Sequence, residues 1–346
     1  MPSRHVAGRS HDSSGVREEI TMTRQGFLKL SVAALAVAAS TVSSTAQEVT
    51  LRMHQFLPPQ ANVPVHILDV WADGIEEASD GRIEIQRFPA MQLGGTPPEL
   101  YDQVVDGVAD IVWTLPGYTP GRFPQTEVFE LPFMMTNAEA TSRAYWRFAE
   151  EIGMFDDAFS DVHILGLWVH GPGLIHSSEP VTSPDDLNGL KLRAPTRVTN
   201  QLFTELGASA IGMPIPAVPE ALSKGVIDAT VIPWEVTTAL RISELVDNHT
   251  SFEAGPIYTA TFIFAMNKEA YEGLPDDLKA IFDENSGLEL SGFAGATMQE
   301  YHAPGLLAAE DAGNNIIFLT EDHIEPWRTA SQSTLDAWVA EMDAAG

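Results

Sequence analysis

A helical stretch that breaks at Gly-Val-x-Asp and runs straight into an apolar strand occurs twice in this chain of 346 residues. The first copy is a helical segment over 98–106 with proline near its first turn, then Gly107-Val-Ala-Asp110, then the strand Ile111-Val-Trp113. The second is a shorter helix over 219–224, then Gly225-Val-Ile-Asp228, then Ala229-Thr-Val-Ile232. Proline suits a helix's first turn because the N–H it lacks would have no intrahelical partner there. Glycine suits the helix end because it adopts a left-handed backbone without strain. Strands of related pattern, Gly81-Arg-Ile-Glu-Ile85 and Gly189-Leu-Lys-Leu-Arg193, precede the two copies. One such unit is ordinary in an α/β protein, whereas two far apart in the chain predict two similar α/β lobes. One lobe is expected over about 47–170 and the other over about 171–260, each completed by part of the C-terminal region. In α/β sheets, ligands gather beyond the carboxyl ends of the strands. The segments placed there are 113–118 in the first lobe and 193–196 and 232–235 in the second, facing each other across a cleft.

Other segments fit the same class. Val49-Thr-Leu-Arg-Met53 reads as an opening strand, stopped by Pro58-Pro59. Leu68, Trp71, Ile75 and Ala78 recur at three- and four-residue spacing, the apolar face of a helix that Asp80-Gly81 ends. Helical patterns over 269–272, 276–285, 288–301 and 325–342, with a strand over 316–319, fill the C-terminal part. No low-complexity linker divides the chain, so strands crossing between the lobes are expected to join them.

Ahead of the lobes, residues 22–46 read as an export signal. Arg24 and Lys29 supply the positive start, 30–39 an apolar stretch too short to span a bilayer, and Ser44-Thr-Ala46 a small-residue cleavage site. Residues 1–21 are polar and carry Glu18-Glu19, which fits no signal, so Met22 is the expected translation start. Thr23-Arg-Gln-Gly-Phe-Leu-Lys29 resembles a twin-arginine motif with Gln25 in the second arginine's place, which leaves the export route open. The expected location is periplasmic, with no direct membrane insertion.

Forty-eight Asp and Glu against 19 Lys and Arg give a formal net charge of -29. Such a field argues against nucleic acid and anionic membrane as partners. Salt screens charge over about 8 Å, so a single arginine inside a cleft can still govern a small anionic ligand. The absence of cysteine removes disulfides, thiolate metal sites, a cysteine nucleophile and a lipid-bearing N-terminal cysteine. The ten histidines show no zinc-binding spacing, and no nucleophile elbow, P-loop or dinucleotide fingerprint is present. The pairs Asp156-Asp157, Asp185-Asp186 and Asp276-Asp277 sit at turns or helix starts, where capping accounts for them. A binding protein without metal or cofactor is therefore expected, rather than an enzyme. An exported hydrolase is the rival of another class, but nothing nominates its nucleophile.

From Asn188-Gly-Leu-Lys-Leu-Arg-Ala-Pro195 onward the pattern is specific. Together with Met91-Gln-Leu-Gly94, Gly107-Val-Ala-Asp110, Glu130-Leu-Pro-Phe133, Gly225-Val-Ile-Asp228 and Asn267-Lys-Glu-Ala-Tyr-Glu-Gly-Leu-Pro275, it resembles the substrate-binding proteins of TRAP transporters, the DctP-like family, over about 48–340. The resemblance implies a two-lobed periplasmic binding protein fold that closes on its ligand, a long helix bracing both lobes, and delivery to TRAP membrane permease subunits driven by an ion gradient. ABC-type binding proteins share the fold logic and are the nearest alternative.

In that family the arginine of the Lys-x-Arg-x-Pro segment, here Arg193, pairs with the ligand carboxylate. A guanidinium's planar fork meets a carboxylate with two parallel hydrogen bonds. Sialic-acid-binding members carry a second arginine, whose place falls at Gly173, and an asparagine before a proline, whose place falls at Ile232. Trp234, Trp113, Tyr118, and Ile215 after Met213-Pro214, supply the remaining expected walls, with Phe56 or Gln55 after the first strand and His170 beside Gly171-Pro172. One arginine among apolar and aromatic walls predicts a monocarboxylate with an apolar or aromatic body. A 2-oxo or 2-hydroxy acid fits that description. A polyhydroxylated ligand would leave many polar groups unpaired.

Overall fold

The computed structural model describes residues 47–345; the expected export signal and the start at Met22 lie outside them. Eleven strands pair into two mixed sheets: β1 (Val49–His54), β2 (Ile83–Phe88), β3 (Ile111–Thr114), β4 (Val162–Val169), β5 (Gly173–Ser177), β6 (Lys191–Ala194), β7 (Ser209–Gly212), β8 (Ala229–Pro233), β9 (Asn248–Phe252), β10 (Thr261–Asn267) and β11 (Asn315–Leu319). The first sheet has the order β2-β1-β3-β10-β4 and the second β11-β9-β5-β8-β6-β7. Read from its other end, the second repeats the first. β6 lies parallel to β7 and β8 as β1 lies parallel to β2 and β3. Antiparallel β5 and β9 then follow as β10 and β4 do.

The repeated Gly-Val-x-Asp has the same physical role in both lobes. Gly107 (φ 70°) and Gly225 (φ 65°) take the left-handed turn that ends each helix. The aspartate then ties the turn to the neighbouring strand. Asp110 accepts from the backbone N–H of Arg52 at 2.8 Å and from its Nε at 2.9 Å, while Arg52 Nη2 reaches Gly107 O at 2.9 Å. Asp228 accepts from the backbone N–H of Lys191 at 3.2 Å, and Lys191 Nζ reaches Gly225 O at 2.8 Å. This arrangement corrects the expected pairing of preceding strands. The counterpart of 189–193 in the first lobe is β1, not 81–85, which forms the edge strand β2 and corresponds to β7. Alternating apolar residues look alike on both, so pattern alone does not separate a central strand from an edge.

The chain crosses between the sheets three times, twice through short extended segments and once, from β10 to β11, through helices. β4 passes through His170-Gly-Pro172 into β5, and 253–260 carries β9 back to β10. The two short crossings are bonded to each other: Gly173 N–H donates to Tyr258 O at 3.1 Å and the Thr259 hydroxyl to His170 O at 2.8 Å. Two helices form a bent brace. Leu288–Glu300 packs on β4 and on the helix Ala138–Glu151, and His302–Asp311 packs on β11 and on the helix Trp234–Leu240. Pro304 explains the bend, because its ring excludes the carbonyl four residues earlier. The last helix, Glu321–Ala345, puts Trp327 into the second sheet's core. Farther along it, Trp338 Nε1 donates to Glu127 at 3.2 Å and Glu341 accepts from Arg197 at 2.8 Å. One continuous apolar cluster runs from the first sheet to Ile215, Ile232 and Val236, so the lobes meet across packed side chains. Among the described residues no helix is long and apolar enough to cross a membrane.

Candidate ligand-binding site

Where the lobes meet, residues from both line a cavity. The first lobe contributes Phe56, Trp113, Tyr118 and Phe262 and the second Arg193, Ile215, Ile232 and Glu235, with His170 and Tyr258 coming from the crossings. The rings form a ladder. Phe56 stacks on Trp113 at 4.6 Å between centroids, and Trp113 on Phe262 at 4.9 Å. Tyr118 meets Phe56 edge-on at 5.7 Å, and its hydroxyl accepts from the Ile215 N–H at 3.1 Å across the lobes.

Arg193 is the electrostatic centre. β6 carries it between fully buried Leu192 and Ala194, and its own exposure is 1%. Its Nε donates to Met213 O at 2.8 Å and its Nη1 to Val231 O at 3.1 Å, whereas Nη2 has no protein partner. No carboxylate pairs with it among the described residues. Burial accordingly lowers its pKa, opposed by the nearby Tyr118 and Tyr258. A buried cation costs several kcal/mol unless paired (about 20 in the idealised limit), so a guanidinium held rigid with a free edge in a cavity is built to receive an anion.

His170 is already committed. Its Nε2 accepts from the Ala260 N–H at 3.0 Å, which puts the proton on Nδ1, facing Gly171 O. Burial pushes its pKa down to about 4, so it is a neutral wall rather than a second cation. Glu235 is the one carboxyl in the lining; burial pushes its pKa up to about 8, and its Oε2 has no hydrogen-bonding partner.

Of the residues singled out from sequence, Arg193, Trp113, Tyr118, Ile215, Phe56, Ile232 and His170 border the cavity, and four do not. Trp234 begins a new helix after β8 and turns away from the ligand side. It packs with Leu174 and Ala309 and lies 5.0 Å from both His176 and His249. Gln55 folds its amide back on Leu57, donating to Leu57 O at 2.9 Å. Met213 contributes its carbonyl to Arg193 instead of its side chain. Gly173 is covered by Tyr258, because a Cβ there would lie 2.1 Å from the ring's Cε1. Tyr258, Phe262 and Glu235 were not singled out. Tyr258 and Phe262 lie in a crossing and a strand with no repeat or turn signal, while Glu235 falls at the end of the 232–235 segment.

The profile of the bacterial extracellular solute-binding proteins, family 7 (DctP), matches residues 57–341. This chain belongs to that family. It is a solute receptor of the TRAP transporter type, and the relatives and solved structures it resembles are solute-binding receptors. It is 26% identical over 239 residues to the C4-dicarboxylate-binding periplasmic protein of Rhodobacter capsulatus, covering 69% of this chain and 71% of that one. Solved structures are closer. A TRAP solute-binding protein from Rhodoferax ferrireducens, holding copurified benzoate, is 47% identical, with a TM-score of 0.84 over 86% of this chain and 92% of that one. A marine metagenome receptor specific for aromatic acids, in complex with 3-hydroxybenzoate, is 42% identical, with a TM-score of 0.84 over 87% and 94%.

Proposed function

We propose that this receptor captures an aromatic monocarboxylate of the benzoate type in the periplasm and delivers it to TRAP permease subunits. The observation that carries the reading is the buried Arg193, unpaired at Nη2, in a cavity walled by Phe56, Trp113 and Phe262. A second ligand carboxylate would find no second cation in the lining and would meet Glu235 instead. The 47% and 42% identical receptors that hold benzoate and 3-hydroxybenzoate support the same class.

Thermal-shift screening against benzoate, hydroxybenzoates, mandelate, succinate and sialic acid tests this. A ligand at 100 times its dissociation constant adds about 2.7 kcal/mol of stability. Aromatic monocarboxylates are expected to raise the melting temperature and the other two acids to leave it unchanged. Shifts confined to dicarboxylates or sugar acids would refute the reading.

A further inference from the structure

Glu235 is a costly residue to place in a cavity that holds an anion. Its side chain lies in the first turn of the helix Trp234–Leu240 and is 8% exposed. It has no salt bridge: the nearest basic residue along its helix, Arg241, pairs with Glu244. The same side chain borders a second hollow beside Asn62, His66, Arg241 and Tyr301, and that hollow gives it no hydrogen bond either. A merely structural glutamate would have a partner, since a buried unsatisfied polar group costs about 1–3 kcal/mol.

The other polar groups of the cavity divide by what they can still do. Both His170 nitrogens are engaged, and the Tyr118 hydroxyl accepts from Ile215 but keeps its O–H to donate. Arg193 and the Trp113 indole N–H can only donate, so they suit the ligand's carboxylate. Tyr258 lines the same cavity and lies within electrostatic reach of both Arg193 and Glu235. Arg193 comes from β6 and Glu235 from the first turn of the helix after β8, so the guanidinium and the carboxyl reach the one cavity from different elements. Burial keeps Glu235 neutral at pH 7, and a neutral carboxyl offers one donor and one acceptor, the complement of a hydroxyl group.

Building on the aromatic-acid reading above, we infer that Glu235 is a specificity-determining residue that hydrogen-bonds a hydroxyl on the ligand's ring, away from the carboxylate held by Arg193. The preferred substrate class is then hydroxylated aromatic monocarboxylates rather than unsubstituted ones.

Calorimetric titration of the purified receptor with benzoate, 3-hydroxybenzoate and 4-hydroxybenzoate at pH 7 tests it, in the wild type and in Glu235→Gln and Glu235→Leu. The readout is the ratio of the benzoate dissociation constant to that of the better hydroxybenzoate. The wild type is expected to favour a hydroxybenzoate about tenfold or more. Glu235→Gln, which keeps a donor and an acceptor, is expected to retain most of that ratio, and Glu235→Leu to bring it within about threefold of one. A wild-type ratio near one overturns the inference whatever the variants do, and so does a ratio that survives Glu235→Leu. Failure of the wild type to bind any of the three acids instead overturns the aromatic-acid reading on which it rests.

Discussion

Replacing Arg193 by methionine should separate binding from stability. In the wild type, two of the five guanidinium N–H groups are spent on Met213 O and Val231 O. The three that remain are one on Nη1 and both on Nη2, so the edge these two nitrogens share can form two parallel bonds to a carboxylate. At roughly 1.5–3 kcal/mol for each charge-assisted bond, Arg193→Met loses about 3–6 kcal/mol of binding, a weakening of about 150- to 20,000-fold. The unliganded fold feels opposing effects. Two carbonyls lose a donor, at about 1–3 kcal/mol each, but the protein no longer buries a cation without a counter-charge, which is worth several kcal/mol. The melting temperature of the free variant should therefore move by only a few degrees. Arg193→Lys keeps the charge without the fork and should fall between the two in affinity. Calorimetric titration with benzoate, with scanning calorimetry of the free proteins, reads both quantities. Retained affinity within tenfold would refute the anchor. A melting point lower by more than about ten degrees would show instead that Arg193 chiefly clamps β6 to its neighbours.

Two further outcomes follow from buried charge. Burial raises Glu235 from 4.5 to about 8 and Glu130 to about 7, while it lowers His170 and His249 to about 4. The acids favour the fold fully below pH 4.5 and lose that contribution as pH rises through their folded values. The histidines work in reverse, destabilising the fold below pH 6.5. Only the acids act above 6.5, so stability should fall from pH 6.5 to 8, with Glu235 alone accounting for about 2 kcal/mol. Chemical denaturation of wild type and Glu235→Gln across that range checks this, and a flat wild-type profile would refute it. Arg197→Ala should loosen the joint between the lobes. Arg197 Nε donates to Glu127 at 3.0 Å, and the Glu127 carboxylate is only 6% exposed. Breaking such a pair costs about 3–5 kcal/mol; because Trp338 still donates to Glu127, the low end is expected, together with faster ligand release in stopped-flow. Unchanged release and stability would show the pair to be idle.

The two-lobed fold was legible because its cause is local and repeated. A glycine that must turn left and an aspartate that must tie down the turn leave the same four-residue trace in both lobes. Arg193 was legible for a related reason, as a charge between apolar Leu192 and Ala194 at the carboxyl end of a strand. The strands β4, β5 and β10 were not legible, since strands buried on both faces carry no alternation for a pattern to show. Trp234 was misplaced because a strand-to-helix junction rotates successive side chains by about 100° and no longer alternates them. Ile232 therefore faces the cavity and Trp234 the histidines behind it. Glu235 was passed over for the opposite reason. An acid near a helix start reads as a solvated helix end, and only burial shows it to be a partnerless group inside the site.

Gly173 shows how the site is shaped by exclusion. In this frame the residue at 173 begins β5 at the crossing, next to the cavity, and a cationic side chain there could hold a second anionic group. Tyr258 fills that space instead: a Cβ on residue 173 would sit 2.1 Å from Cε1 and 2.4 Å from Cδ1 of its ring. The ring cannot yield cheaply, being 1% exposed and packed edge-on against His170 at 5.2 Å. Overpacking of this kind costs about 1–3 kcal/mol. Gly173→Ala alone should lower stability by that amount and weaken aromatic-acid binding, because the displaced ring forms part of the cavity wall. Removing the ring as well, in Gly173→Ala with Tyr258→Ala, should relieve the clash but leave a roomier, less selective cavity. Pairing Gly173→Arg with Tyr258→Ala should then move preference from benzoate toward a dicarboxylate, since it supplies the second cation that the present lining lacks. If Gly173→Ala bound benzoate with unchanged affinity and stability, Tyr258 would not be what closes this receptor to a second carboxylate.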